Sequence, residues 1–488
     1  MTAPDSVAAR AGRALSWSLI NTIASRLGTF AIGIVLARIL GPQEFGTFAV
    51  ALLALFAVLS FSELGVSLAI VRWPGDPREI APTVTTISVV TGTVLFLLVL
   101  AGAPVYTAAM GAPQATEVIR LLAVNILISG LLATPAALMQ REFQAGRRMV
   151  VDQVGTWTGS VLSIVLALAG MGAMSLAIGR LAGAFASGVL FVAFVPRGLR
   201  FGFDRAVARR LLGFGLPLAG SSIVVFAVTY LDQLIVGGAL GSVALGFYLY
   251  AFNLSSWPVN ILSQPVRQVA PAAFARLQHD PPAMRRSFTA STGLLAAVTL
   301  PICLVLTGAA EPLVRFLYGA AWAPAADALV WLGLFAAVRV MFQLVYDYFV
   351  VLGSTRIVFA VQVVWLIALL PAVYAGATLA GIAGAAAAQL AVALLVVLPW
   401  YLWELRRCGI PIGGLARQIA SPALAAVPVG AVGYLAQAWI PLDIAALAVV
   451  GVVLLAALAV QARRVKATIR ELKTVGAEPA EPREVPTP

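Results

Sequence analysis

The chain has 488 residues, 61% of them hydrophobic and 11% charged, with a mean hydropathy of +0.98. So few polar groups cannot build a solvated surface, which excludes a water-soluble globular protein. The formal net charge of +12 would suit nucleic acid in a soluble chain, but its placement along this sequence points to anionic lipid head groups.

Apolar segments of about 20 residues or more recur from end to end, long enough to cross a hydrocarbon core of roughly 30 Å as helices whose backbone groups are satisfied internally. They predict an all-α polytopic membrane protein of fourteen spans, centred near residues 26, 58, 95, 128, 161, 185, 224, 257, 298, 339, 366, 393, 427 and 451. Gly41-Pro42, Pro74-Gly75, Gly237-Gly238 and Gly353-Ser354 supply turn chemistry between spans, and most separators are too short for a folded extramembrane domain. Arg10 and Arg13 precede the first span as in a signal peptide. The apolar run continues through Ala37 without a small-residue cleavage site, so the span is expected to be retained. Cys303 lies in an apolar run and Cys408 beside Arg406 and Arg407, a pair that implies neither disulfide nor metal framework; no cofactor is expected.

With the N-terminus placed in the cytoplasm, the inside loops collect Arg72, Arg78, Arg141, Arg147, Arg148 and the cluster Arg197, Arg200, Arg205, Arg209 and Arg210. Later inside loops add Arg276, Arg285, Arg286, Arg356, Arg406, Arg407 and Arg417, and the tail adds Arg463, Arg464, Lys466, Arg470 and Lys473. Outside loops hold only Arg38 and Arg315. This is the positive-inside pattern, with both termini cytoplasmic in a bacterial inner membrane.

An internal echo sets the expected architecture. Leu40-Gly41, Phe45-Gly46 and Phe48 return as Leu240-Gly241, Leu245-Gly246 and Tyr248, offset by 200 residues. A second pair joins Met110-Gly111 and Glu117 to Tyr318-Gly319 and Asp327. The alternative is chance likeness of glycine-bearing helix turns. Six spans separate the copies, an even number, which predicts a parallel repeat of two six-helix lobes. The expected organisation is a cytoplasmic N-terminus (1–13), a first lobe (14–196), a cytoplasmic linker (197–210), a second lobe (211–405), two further spans (406–462) and a cytoplasmic tail rich in Pro and Glu (463–488).

Polar residues within spans are the candidate functional groups, since an ionised side chain at the bilayer centre costs on the order of 2.5 to 3.5 kcal/mol. Asn253, Trp257, Asn260, Gln264 and Arg267 follow spacings of four and three and stack on one helix face. Arg339, Gln343 and Asp347 recur at four-residue spacing. Ser60, Glu63 and Ser67 mark the second span; Ser18, Asn21, Thr22 and Arg26 the first; Tyr230, Asp232 and Gln233 the seventh. The plain alternative is interhelical hydrogen bonding, about 0.6 kcal/mol per contact.

Four segments, Leu36–Gly46 (LARILGPQEFG), Tyr230–Tyr250 (YLDQLIVGGALGSVALGFYLY), Ser256–Leu277 (SWPVNILSQPVRQVAPAAFARL) and Leu317–Trp322 (LYGAAW), resemble the polysaccharide-transporter, or Wzx-type, flippases of the multidrug, oligosaccharidyl-lipid and polysaccharide exporter superfamily. The resemblance implies a central cavity lined largely by spans one, two, seven and eight, and a polyprenyl-diphosphate-linked oligosaccharide as cargo. Arg26, in Ser25-Arg26-Leu27-Gly28, resembles a cavity arginine of the peptidoglycan-precursor branch. That branch has Asp-Arg where this chain has Phe252-Asn253, and relatives often have a basic residue where Gln233 stands. These departures favour a capsular, O-antigen or exopolysaccharide repeat unit over a peptidoglycan precursor.

Such a cargo needs a cationic contact for the diphosphate, for which Arg26, Arg267 and Arg339 are the candidates. It needs hydrogen-bonding or stacking groups for the sugars, for which Tyr230, Asn253, Trp257, Asn260 and Gln264 qualify, with Asn21 and Gln343 completing the cavity set. Glu63, Asp232 and Asp347 are the candidates for coupling to protons or sodium. Without a nucleotide-binding motif, the drive is expected from an ion gradient, the membrane potential or consumption of product. Expected partners are the lipid-linked saccharide, membrane lipids and a polysaccharide polymerase or glycosyltransferase, with no nucleic acid. A multidrug antiporter on the same fold would favour an acidic cavity. A membrane glycosyltransferase would need catalytic groups on a large loop, where the single histidine, His279, is a poor substitute.

Overall fold

The computed structural model describes the backbone of residues 7–62, 66–73, 75–142, 144–195, 199–276 and 280–475. The side chains of residues 7–27, 61, 62, 66, 68, 72, 145, 214, 216–221, 223–225, 261–276, 355, 463, 464 and 467–475 lie outside the described set. In chain order the helices are α1 (Val7–Ser62), α2 (Val66–Arg72), α3 (Pro77–Ala109), α4 (Ala115–Arg141), α5 (Ala145–Leu168), α6 (Ala173–Phe194), α7 (Arg205–Leu240) and α8 (Ser242–Arg276). They continue as α9 (Pro281–Gly308), α10 (Ala310–Tyr318), α11 (Ala325–Val351), α12 (Thr355–Val392), α13 (Leu398–Arg407), α14 (Ile412–Trp439) and α15 (Asp443–Val475). Ten helices among the described residues are long and apolar enough to cross a membrane, so the protein is a multi-pass membrane protein.

Helix boundaries follow local chemistry. Gly41 adopts φ 69°, which breaks α1 at the first Gly-Pro, and Pro42 then starts the next helical run where its missing N–H costs nothing. Gly241 (φ 84°) separates α7 from α8 in the same way, and Gly111 and Gly319, the glycines of the second sequence echo, are also left-handed. A second long helix, α12, is divided at Ala380-Gly381.

The chain forms two compact units, residues 1–246 and 247–488. In the first, α5 and α6 cross through four glycines. A Cβ on Gly159 would lie 2.8 Å from the Gly179 carbonyl oxygen, and one on Gly183 would lie 2.5 Å from that of Gly155. Such small-residue seams allow close helix packing where lipid gives no hydrophobic drive for association. Beside this pair, Leu122, Ala123 and Ile126 of α4 pack with Ala51 and Leu55 of α1 and Ala173 and Ala177 of α6. The α1 turn packs on the start of α8: a Cβ on Gly46 would sit 2.2 Å from the Ser242 carbonyl oxygen, so only glycine fits.

In the second unit, α14 and α15 pack on α9 through Ala309, Val429, Ala436, Ala446 and Val450. Tyr250, Tyr318 and Trp322 form an aromatic knot, with Tyr250 and Trp322 ring centroids 4.3 Å apart.

Candidate functional site

In the first unit Arg180 stands on a membrane helix beside the aromatic side chains Phe56 and Tyr230. This arginine is the eighth residue of α6, about 10 Å along the helix from its Ala173 end at 1.5 Å per residue. The glycine seam fixes the rotation of α6: Gly179 and Gly183 face α5, which turns the adjacent Arg180 toward α1 and α7. Its guanidinium lies 5.5 Å from the ring centroid of Phe56 on α1. Tyr230 on α7 shares the group, its ring 5.4 Å from Phe56 and 5.1 Å from Phe226. No carboxylate pairs with Arg180 among the described residues, and its side chain is exposed. A cation–π contact contributes roughly 0.5 to 2 kcal/mol, less than the on-the-order-of-3 kcal/mol penalty of an arginine at the bilayer centre. The arginine therefore needs water or an anion as well.

The second unit holds Arg339 near the middle of α11. Its Nη2 donates to Ser256 Oγ on α8 at 3.0 Å, and its guanidinium lies 5.2 Å from the Phe252 ring and 5.9 Å from Phe335. Arginine on α11 is thus coupled to the helix that bears the amide stripe. On that stripe Asn253 and Asn260 are exposed and Trp257 is half-buried, whereas Leu254, Ser255 and Val259 are buried against neighbours. Among the described residues of α8, Asn253 and Asn260 are thus on the open side, while the packed side carries Leu254 and Val259 together with Ser255 and Ser256.

The other candidates fall differently. Gln343 is half-buried, and Asp347, two turns along from Arg339, is 7% exposed. Asp232 and Gln233 are buried within the first unit at 3% and 1% exposure, and Gln233 Oε1 has no hydrogen-bond partner among the described residues. Asn21 and Arg26 lie on α1, and Gln264 and Arg267 on α8, with side chains outside the described residues; Glu63 lies outside them altogether. Sequence reasoning did not single out Arg180. The available signal was a lone arginine inside an otherwise apolar run, without a polar neighbour at helical spacing to mark a stripe. Among the described residues, no group of three or more His, Cys, Asp or Glu residues is arranged to hold a metal ion.

Long apolar helices, with arginines seated against aromatic rings, define a multi-pass α-helical membrane protein. The fold is similar to that of the lipid II flippase MurJ in an inward closed conformation, with a TM-score of 0.73 and 14% identity over 91% of this chain and 98% of that one. It is also similar to an inward-facing multidrug-resistance MATE transporter of the MOP superfamily, with a TM-score of 0.61 and 16% identity over 79% of this chain and 94% of that one.

Residues 35–327 match the family described as polysaccharide biosynthesis protein, and the chain belongs to that family. This bears out the family read from the four sequence segments. The chain is 26% identical over 322 residues to the succinoglycan biosynthesis transport protein ExoT of Rhizobium meliloti (strain 1021), covering 64% of this chain and 63% of that protein. It is 25% identical over 309 residues to the lipopolysaccharide biosynthesis protein WzxC of Escherichia coli (strain K12), covering 63% of each. The matched stretch thus spans just under two thirds of these relatives.

Proposed function

We propose that this protein is a flippase for polyprenyl-diphosphate-linked oligosaccharide repeat units, acting in exopolysaccharide, capsule or O-antigen synthesis by alternating access across the bacterial inner membrane. The observation that carries the reading is that each compact unit holds an arginine inside a membrane helix against aromatic rings, Arg180 on Phe56 and Arg339 on Phe252 and Phe335. An oxyanion is the natural ligand of a guanidinium fork, and the adjoining rings suit the apolar faces of sugars. Asn253, Asn260 and Trp257, on the same helix as Phe252 and Ser256, supply hydrogen bonding and stacking in the second unit. Arg26, Arg267, Asn21 and Gln264 remain proposed members of the same set, and Glu63, Asp232 and Asp347 the proposed ion-coupling groups.

The names of the relatives support a saccharide cargo, since they belong to succinoglycan and lipopolysaccharide biosynthesis. In this reading the chain crosses the membrane fourteen times, as two six-helix lobes and two further helices, with both termini cytoplasmic. It performs no covalent chemistry, and it works beside a polymerase or glycosyltransferase. A peptidoglycan precursor is disfavoured as cargo because Asn253 stands where that branch carries a cationic arginine, and Phe252, where it carries an aspartate, is here the ring beneath Arg339.

The test is export in cells whose own copy is deleted. Arg180→Gln and Arg339→Gln should each lower surface polysaccharide at least tenfold with membrane abundance unchanged, and the Lys variants should restore part of it. Normal export by both Gln variants would refute the reading.

A further inference from the structure

The segment joining α6 to α7 carries two large apolar side chains in the open. Phe201 and Phe203 are 63% and 67% exposed, although they flank a residue that is held tightly. Gly202 donates its N–H to Thr86 Oγ1 at 3.2 Å and accepts from the same hydroxyl at 2.8 Å. A Cβ on Gly202 would lie 3.0 Å from Pro82 Cβ. Asp204 donates its N–H to Thr83 Oγ1 at 3.1 Å, and its carboxylate caps α7 by accepting from Ala206 and Val207. The segment is thus clamped to α3 at two points, and its phenylalanines are held outward.

Four arginines lie in the same stretch of chain. Arg200, Arg205, Arg209 and Arg210 are all exposed. The first three have no carboxylate at ion-pair distance among the described residues, while Arg210 lies over the Trp73 ring at 5.7 Å.

Depth follows from the clamp. At 33 residues, α3 is about 50 Å long, roughly 20 Å more than the hydrocarbon core. Shared between its ends, that excess puts the hydrocarbon boundary about 10 Å from Pro77, which is the level of Thr83 and Thr86 at 1.5 Å per residue. Phe201 and Phe203 therefore stand at the junction of head groups and acyl chains, where aromatic rings partition well and long arginine side chains can reach the head groups.

We propose that residues 199–210 form a binding site for anionic phospholipid: the phosphate-bearing head group is held by Arg200, Arg205 and Arg209, and the start of the acyl chains lies against Phe201 and Phe203. The positive charge matches an anionic leaflet, and the rings match hydrocarbon, so neither half of the patch faces an unsuitable neighbour. The site does not depend on the nature of the cargo.

The full-length protein, reconstituted in phosphatidylcholine nanodiscs, is titrated with NBD-labelled phosphatidylglycerol or phosphatidylcholine, and energy transfer from tryptophan is recorded. Wild type should prefer phosphatidylglycerol, and the preference should shrink as NaCl is raised, as surface charge attraction does. The triple variant Arg200→Gln/Arg205→Gln/Arg209→Gln should lose on the order of 10- to 100-fold of that preference, while the corresponding triple Lys variant keeps it. Phe201→Ser/Phe203→Ser should weaken both lipids alike. A salt-independent preference in the wild type overturns the proposal without any variant being needed. So does a folded triple Gln variant that still prefers phosphatidylglycerol. Full displacement by soluble glycerol phosphate, with no effect of the Phe pair, would make this a free-phosphate site and overturn the lipid assignment.

Discussion

Replacing Gly183 by Ala should destabilise the protein, although Ala is the better helix former. The new Cβ would lie 2.5 Å from the Gly155 carbonyl oxygen, 3.3 Å from its carbon and 3.4 Å from Gly159 Cα. Ordinary contact begins at 3.4 Å, so α5 and α6 must part by about 0.9 Å at a crossing where both sides are backbone and cannot rotate away. Overpacking of this kind costs about 1 to 3 kcal/mol, against a propensity gain of about 0.5 to 1 kcal/mol. The net effect is a loss centred on about 1 kcal/mol and at most roughly 2.5 kcal/mol, or about 2 to 4 °C in melting temperature at the centre for a unit of this size. Gly102→Ala on α3 is the internal control, since nothing lies within 4 Å of its Cβ position, and it should match or exceed the wild type. Intrinsic tryptophan fluorescence on heating in detergent reads both variants. Because α6 also carries Arg180, Gly183→Ala should reduce polysaccharide export beyond what its lower abundance explains. If Gly183→Ala melts with Gly102→Ala, the glycine seam is not what positions α6.

On α8, in a background where Cys303 and Cys408 are replaced, Asn253→Cys and Asn260→Cys should react with a small membrane-impermeant thiol reagent while Leu254→Cys does not; equal labelling of all three would show that the polar stripe does not face water. In the wild-type protein, Cys303 is fully buried and should stay unreactive, leaving Cys408, just past the end of α13, as the labelling site. Burial and the neighbouring Glu404 carboxylate push the Cys408 thiol above its ordinary value, with Arg407 opposing them. Since the thiolate is the nucleophile, maleimide labelling should be slow near neutrality and still be rising beyond the pH where a free cysteine levels off. Glu404→Gln removes one of the raising charges and should speed labelling at pH 8; an unchanged rate would remove Glu404 as a cause.

The amide stripe on α8 was legible because helical spacing is a local property: residues three and four apart share a face wherever the helix ends up. Asp232 and Gln233 had no such pattern, and the structure buries both. Arg180 was invisible for a related reason. A single charge within a run such as Ala173–Phe194 does not declare its direction, and its meaning came from Gly155 and Gly159 on another helix, which set the rotation of α6. Arg339 was found as a charge but not as a partner, since Ser256 lies 83 residues away in sequence.

The sequence by itself determined the solvent, the spanning lengths, the break at Gly41 and the family; it placed the next such break at Gly237-Gly238, whereas α7 runs on to Leu240 and ends at Gly241. Each of these depends on composition or on a few adjacent residues: bilayer thickness sets helix length, and a glycine at positive φ ends a helix whatever surrounds it. Only the tertiary structure decided which face of each helix is open, which arginines sit on aromatic rings, and that the Phe201–Phe203 segment is clamped to Thr83 and Thr86. Those outcomes depend on close approach between helices distant in the chain, where one Cβ too many at a glycine seam would turn a side chain toward a different neighbour.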